Sequence, residues 1–201
     1  MIINTGGRTD TVQYYTKWLL RRFSEGYVLV RNPLFPHKVN RYELTPDKVD
    51  CVVFCSKNYK PILPHLHEIT DRFNTYFHYT ITAYGRDVEP GVPSIRESMD
   101  TLIELSNLVG TQRVAWRYDP VLLTKKYTIG RHIETFAQMA RILAPHIDRC
   151  IFSFVEMYKT GFSMGISFLS SNFKRAKKPL PVIHAEKQNR TRHTAQCSCY
   201  I

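Results

Sequence analysis

The sequence predicts an α/β protein: a partial (β/α) TIM-barrel-like parallel sheet of about five βα units, with an inserted β-hairpin and an irregular basic C-terminal tail. Three observations predict it. Short apolar runs alternate with longer stretches of helical period through residues 1–158. The run centres fall near residues 3, 52, 78, 115 and 152, and the later spacings suit β-helix-β crossovers. The run Val49–Cys55 is too uniformly apolar for a half-exposed strand, as expected of a parallel sheet covered on both faces. A doubly wound open sheet shares this alternation and stays open as an alternative. A complete eight-unit barrel takes roughly 200 residues at the least and usually about 250. Five units already occupy most of this chain, so it reads as an open partial barrel or the front of a longer one.

The first strand is Met1–Asn4, closed by Gly6-Gly7. Asp10 fits a helix N-cap with Gln13 as the returning partner of a capping box. Val12, Tyr15, Leu19 and Phe23 follow at helical spacing, and Gly26 stands where a left-handed C-terminal cap belongs. Two β-rich runs, Tyr27–Arg31 and Val39–Leu44, flank Asn32-Pro33-Leu34-Phe35-Pro36 and predict the hairpin. After the second strand comes a short helical stretch, Ile62–Ile69, and then a third strand, Tyr76–Thr82. Ser94 and Glu97 form a second capping box ahead of a stripe of Ile95, Met99, Leu102, Ile103 and Leu108, stopped by Gly110. The fourth strand is Arg113–Arg117. Its helix places Ile129, Ile133, Phe136, Ala140 and Leu143 on one face and ends before Pro145. The fifth strand is Cys150–Val155.

Composition narrows the function classes. With 43% apolar and 22% charged residues the chain is neither disordered nor fibrous. No run of about 18 apolar residues predicts a membrane span, and the N-terminus lacks the basic and apolar regions of a secretory signal. Five cysteines without such a signal read as reduced thiols, so a cytoplasmic location is expected. The net charge of +11 is uneven: +6 lies between Phe162 and the end, carried by seven cations against Glu186. Residues 1–160 therefore read as a mildly basic barrel-like domain, and 161–201 as a basic tail. Nonspecific nucleic-acid attraction is expected of that tail.

In a barrel or open parallel sheet, chemistry gathers at the carboxyl ends of the strands. Here those ends deliver Arg8 and Asp10, then Lys57 and Asn58, then Tyr84, Arg86 and Asp87, then Arg117 and Asp119, and finally Glu156. Cations beside carboxylates suit an anionic or zwitterionic small molecule. Arg8, Asn58, Tyr84, Arg86, Asp87 and Arg117 are expected to bind it. Asp10, Lys57, Asp119 and Glu156 are the catalytic candidates, Asp119 and Glu156 for proton transfer. The bland alternative is that loops are polar in any protein and Asp10 merely caps its helix.

Other signals in the sequence are weaker. The turn Gly6-Gly7-Arg8 leads into a helix and suits a phosphate, but it lacks a dinucleotide fingerprint and a P-loop. Cys51 and Cys55 lie four apart in a strand, about 13 Å, too far for one metal. They and Cys150 read as core residues. Cys197-Ser198-Cys199 offers two thiolates where four ligands are usual, and His65 and His67 do not share a helix face, so no metal site is expected.

The loops together resemble a known family. Arg8-Thr9-Asp10, the stretch Gly26 to Pro33, Asp50 to Phe54 with Lys57-Asn58, Tyr84 to Pro90 and Trp116 to Pro120 are similar to the bacterial family catalogued as domain of unknown function 1848, over about residues 1–160. The resemblance implies a barrel-like domain whose usual C-terminal part carries a cysteine cluster like that of radical S-adenosylmethionine enzymes. Two departures stand out: Gly6-Gly7 where the family tends to a more polar pair, and a tail after about Gly161 without the pattern or a C-x-x-C cluster. The chain thus reads as a truncated member with an unrelated tail, as from a shifted reading frame. No cofactor is expected in this chain, while an iron–sulfur cluster and S-adenosylmethionine are implied for full-length relatives. Three readings follow: the substrate-binding part of such an enzyme, a nucleic-acid-binding module working through the tail, or an inactive remnant that oligomerises through an open sheet edge.

Overall fold

The computed structural model describes residues 1–155 and 198–200. Its main sheet is wholly parallel: β1 (Ile2–Asn4), β4 (Cys51–Ser56), β5 (Thr75–Thr80), β6 (Val114–Val121) and β7 (Arg149–Phe154) stand side by side in chain order. The antiparallel hairpin of β2 (Tyr27–Arg31) and β3 (Val39–Glu43) is set apart from it as a two-stranded ribbon. From β1 to β7 each new strand of the sheet joins beside its predecessor, with no reversal of direction. That order decides between the two expected architectures. A doubly wound sheet reverses at a switch point, whereas sequential addition is the winding of a barrel. The sheet is therefore a partial (β/α) barrel of five strands. A further strand, β8 (Ser198–Tyr200), lies parallel along the free edge of β1, a strand the sequence did not predict in the basic tail. The rest of the tail, with Glu156, lies outside the described residues.

Sequential right-handed crossovers put all helices on one face, and the burial pattern follows. Val52, Phe54, Phe77, Tyr79, Val114, Trp116 and Tyr118 are buried on the helix side, Phe54 stacked on Phe77 at 5.0 Å and Trp116 on Phe136 at 4.9 Å. Their alternates Cys51, Val53, Cys55, Tyr76, His78 and Arg117 are half-buried. The expectation of a strand buried on both faces is corrected here: in an open sheet one side, the interior of a closed barrel, has no helix over it among the described residues. Cys51 and Cys55 consequently lie on the open face and not in the core. Cys150 is exposed on β7, the outermost strand on its side among the described residues.

The helices also depart in detail. The first is broken at Tyr15 into α1 (Thr11–Tyr14) and α2 (Thr16–Glu25), which leaves Tyr15 outside while Val12, Leu19 and Phe23 are buried. Gly26 closes α2 in the left-handed conformation, φ 75°. A turn at Leu63–His65 leads into the short α3 (His67–Thr70). The capping box of α4 (Ile95–Val109) forms as expected, but its inner stripe runs through Leu102 and Leu105 and leaves Leu108 outside. On α5 (Ile129–Leu143) the buried residues are His132, Met139 and Leu143, with Ile129 and Ile133 exposed. His132 is tolerated inside because both ring nitrogens are occupied. Nε2 lies 3.2 Å from the Leu122 carbonyl and can only donate, so Nδ1 accepts from the Tyr118 hydroxyl at 2.7 Å.

Candidate functional site at the strand ends

The loop after β1 approaches β4 closely. A Cβ on Gly6 would lie 2.6 Å from the Cβ of Cys55 and 2.7 Å from its carbonyl oxygen, so only glycine fits. Asn4 accepts the Gly6 N–H at 2.9 Å and folds the chain back. This brings Asp10 to the end of β4, where one oxygen accepts the Gln13 N–H at 2.9 Å and the other accepts Ser56 Oγ at 2.8 Å and the Lys57 N–H at 3.1 Å. Gln13 does not complete the expected capping box; its amide donates instead to the Gly91 carbonyl. At the helix start that follows this turn, Asp10 occupies the Gln13 N–H, and the Gly6 N–H is taken by Asn4. The helix there, α1, is only four residues long.

The loop after β5 closes the network. Lys57 pairs with Glu89 at 2.5 Å, and Glu89 also accepts Thr82 Oγ1 at 3.1 Å. The Lys57 and Glu89 side chains are both half-buried. Arg86 lines a neighbouring groove of about 260 Å³ with Tyr84, Glu89 and Ile95. The loops following β1, β4 and β5 are therefore tied by a continuous chain of Asp10, Ser56, Lys57, Glu89 and Thr82. Asn58 takes part only locally, its backbone exchanging hydrogen bonds with Ser56 Oγ and its side chain accepting the Lys60 N–H.

From β6 and β7 comes a second group on the open face: Arg117 pairs with Asp119, which also accepts Ser153 Oγ. The register sets His78 opposite Cys55 and Arg117 opposite Thr80, so Cys55, His78 and Arg117 neighbour one another on that face. Burial holds the His78 imidazole below its usual pKa, and the charges of Arg117 and Arg149 add to the effect. Burial likewise pushes the Cys55 thiol up, with Arg117 opposing.

Of the remaining expected residues, Tyr84 and Asp87 make their hydrogen bonds outside this network. Tyr84 is buried, donating its hydroxyl to the Pro120 carbonyl at 2.7 Å and accepting the Leu122 N–H at 2.6 Å, so it holds the chain after β6. Asp87 accepts Tyr127 Oη at 2.8 Å and pairs with Lys126 at 2.9 Å. The hydrogen bond from Lys126, and then that from Tyr127, keeps its carboxyl below the ordinary range. Arg8 lines a different groove, beside the hairpin. Glu156 lies outside the described residues. Sequence reasoning missed Ser56, Thr82, Glu89 and Ser153. Glu89 lies inside the Tyr84–Pro90 motif, which was signal enough, but its partner Lys57 is 32 residues away.

Among the described residues no group of three or more His, Cys, Asp and Glu side chains could hold a metal ion. Cys51, Cys55 and Cys150 are single thiols on separate strands or turns of the pleat, so they do not fit an iron–sulfur cluster. No helix among the described residues is long and apolar enough to cross a membrane.

Sequential parallel strands, with polar loops gathered at their carboxyl ends, define a barrel-type α/β domain. The chain belongs to the family described as domain of unknown function (DUF1848), which matches residues 2–188. The match continues past residue 161, so the segment after it is not the unrelated tail expected from the sequence. Neither the curated proteins nor the solved structures give a match.

Proposed function

We propose that the carboxyl ends of the parallel strands form a binding mouth for a small zwitterionic molecule carrying a carboxylate or phosphate. The observation that carries this reading is the pairing of its charges. Lys57 meets Glu89 and Arg117 meets Asp119, with Asp10 bridging Ser56 and the Lys57 backbone. A site built of paired opposite charges favours a ligand with both signs over a polyanion, because each end can replace one partner of an existing pair. Lys57, Arg117 and Arg86 are the anion-binding groups in this reading, and Glu89 and Asp119 hold the ligand's cationic end. In other members of the family, the resemblance suggests, such a mouth serves as the substrate-binding part of an iron–sulfur enzyme. The described cysteines of this chain do not fit such a cluster.

A thermal-shift panel tests the proposal, with α-amino acids, dicarboxylates, phosphate monoesters, polyamines and neutral sugars. A ligand at 100 times its Kd stabilises by about 2.7 kcal/mol, or roughly 5–10 °C for a chain of this size. Zwitterions are expected to give the largest shift, and Lys57→Ala and Arg117→Ala each to abolish it. Shifts confined to polyamines or sugars, or unchanged in both variants, would overturn the reading.

A further inference from the structure

The hairpin carries a second recognition feature, independent of the mouth. A groove of about 350 Å³ is lined by Val28, Leu29, Val30 and Arg31 of β2, facing Arg8, Tyr15 and Trp18 across it. Four consecutive strand residues, belonging to both faces of the ribbon, line it, and no residue of β3 does. It therefore runs along the edge of β2 that faces away from its partner.

The register says which backbone groups that edge presents. Leu44 N–H donates to the Gly26 carbonyl and Asn32 N–H to that of Lys38. In an antiparallel pair the bonded positions alternate, so Val28 and Val30 direct their backbone groups to β3, while Tyr27, Leu29 and Arg31 direct theirs outward. Among the described residues none of these outward groups has a hydrogen-bond partner. A row of unmet donors and acceptors is a template for another strand. Trp18 and Leu29 are exposed apolar side chains at the rim, and the lining holds Arg8 and Arg31 but no acid.

We propose that this groove binds an acidic extended peptide, which adds to the free edge of β2 as a third strand. Its backbone satisfies Leu29 and Arg31, its carboxylates face Arg8 and Arg31, and an apolar side chain rests against Trp18. A bare apolar ligand would leave the strand's backbone groups unmet, and a second copy of this edge would bring its own Arg8 and Arg31 against the same charges.

The test uses the full chain and an acetylated, amidated pentapeptide of alternating Glu and Val. Trp18 reports binding by fluorescence, since Trp116, the other tryptophan, is buried. A saturable change in emission is expected, absent in Trp18→Phe, with exchange of the Leu29 and Arg31 amides slowed at least tenfold. A Lys-Val analogue, a peptide N-methylated along its pairing side, and the Arg8→Glu and Arg31→Glu proteins should each bind at least tenfold more weakly. Equal binding of the N-methylated peptide, equal competition by benzoate alone, protection of other amides only, or no saturable change up to millimolar peptide would each overturn the proposal.

Discussion

Replacing Asp10 by alanine removes three hydrogen bonds at once and tests whether the strand-end loops are held as described. The cap to Gln13 N–H is worth about 1 kcal/mol. Bonds to a charged acceptor contribute about 1.5–3 kcal/mol each when well shielded. The two others differ in how replaceable they are. Ser56 has one hydroxyl proton, shared between Asp10 at 2.8 Å and the Asn58 carbonyl at 3.0 Å, so it keeps a partner and its loss falls at about 1 kcal/mol or less. The Lys57 N–H has no other acceptor among the described residues and should cost about 2 kcal/mol. Asp10 is only half-buried, so water recovers part of this, and the sum is about 3 kcal/mol. Urea denaturation should register that loss, with a drop in Tm of about 6–12 °C. Asp10→Ser, which can still cap α1 but cannot reach across to β4, should recover about 1 kcal/mol. A loss below about 1 kcal/mol for the alanine variant, or full recovery with serine, would show that Asp10 merely caps its helix and that the link to β4 is energetically empty.

Other outcomes follow from the same contacts. Gly6→Ala should destabilise by about 1–3 kcal/mol through overpacking against the Cys55 backbone, measurable by thermal melts. Gly130→Ala, where an added Cβ meets nothing within 4 Å, serves as the control. Tyr118→Phe leaves the buried Nδ1 of His132 without its donor and should cost about 1–3 kcal/mol in urea unfolding. His78 gives a pH signature: its folded pKa lies below the unfolded 6.5, so the unfolded chain binds more protons between those values. Its contribution is intact above about pH 6.5 and is lost as the pH falls through that window, so His78→Gln should flatten the decline in stability on acidification. Glu89→Gln unpairs Lys57 and should shift ligand preference from zwitterions toward simple anions in the thermal-shift panel.

The fold was largely legible because buried parallel strands write themselves as apolar runs, and because Ser94–Glu97 and Gly26 are local signals with local causes. Helix faces were less so. On α5 the apolar Ile129 and Ile133 fit the period, yet the side turned inward is centred on His132, a residue whose burial depends on Tyr118 and on the Leu122 carbonyl. Tyr15 fits the stripe of the first helix, but the helix breaks there. Position along the chain placed Asp10 and Lys57 after their strands, whereas Arg117 and Asp119, expected at and just past the end of the fourth strand, lie within the longer β6. Position did not predict whom they meet. Tyr84 and Asp87 follow β5 just as Glu89 does, but the first two turn to the chain after β6 and to Tyr127, while Glu89 reaches Lys57. Such pairings join residues tens of positions apart and depend on loop paths that no local pattern encodes.

Side-chain NMR of protein carrying labelled lysine and arginine gives the most direct reading of whether one mouth unites these loops. The chain is titrated with the amino acid that gives the largest thermal shift, while the Lys57 Nζ and Arg117 Nε signals are followed together. Both should move along the same saturation curve, with one Kd. Movement of only one, or two curves with different midpoints, would mean that the strand ends carry separate charged patches and not a single site.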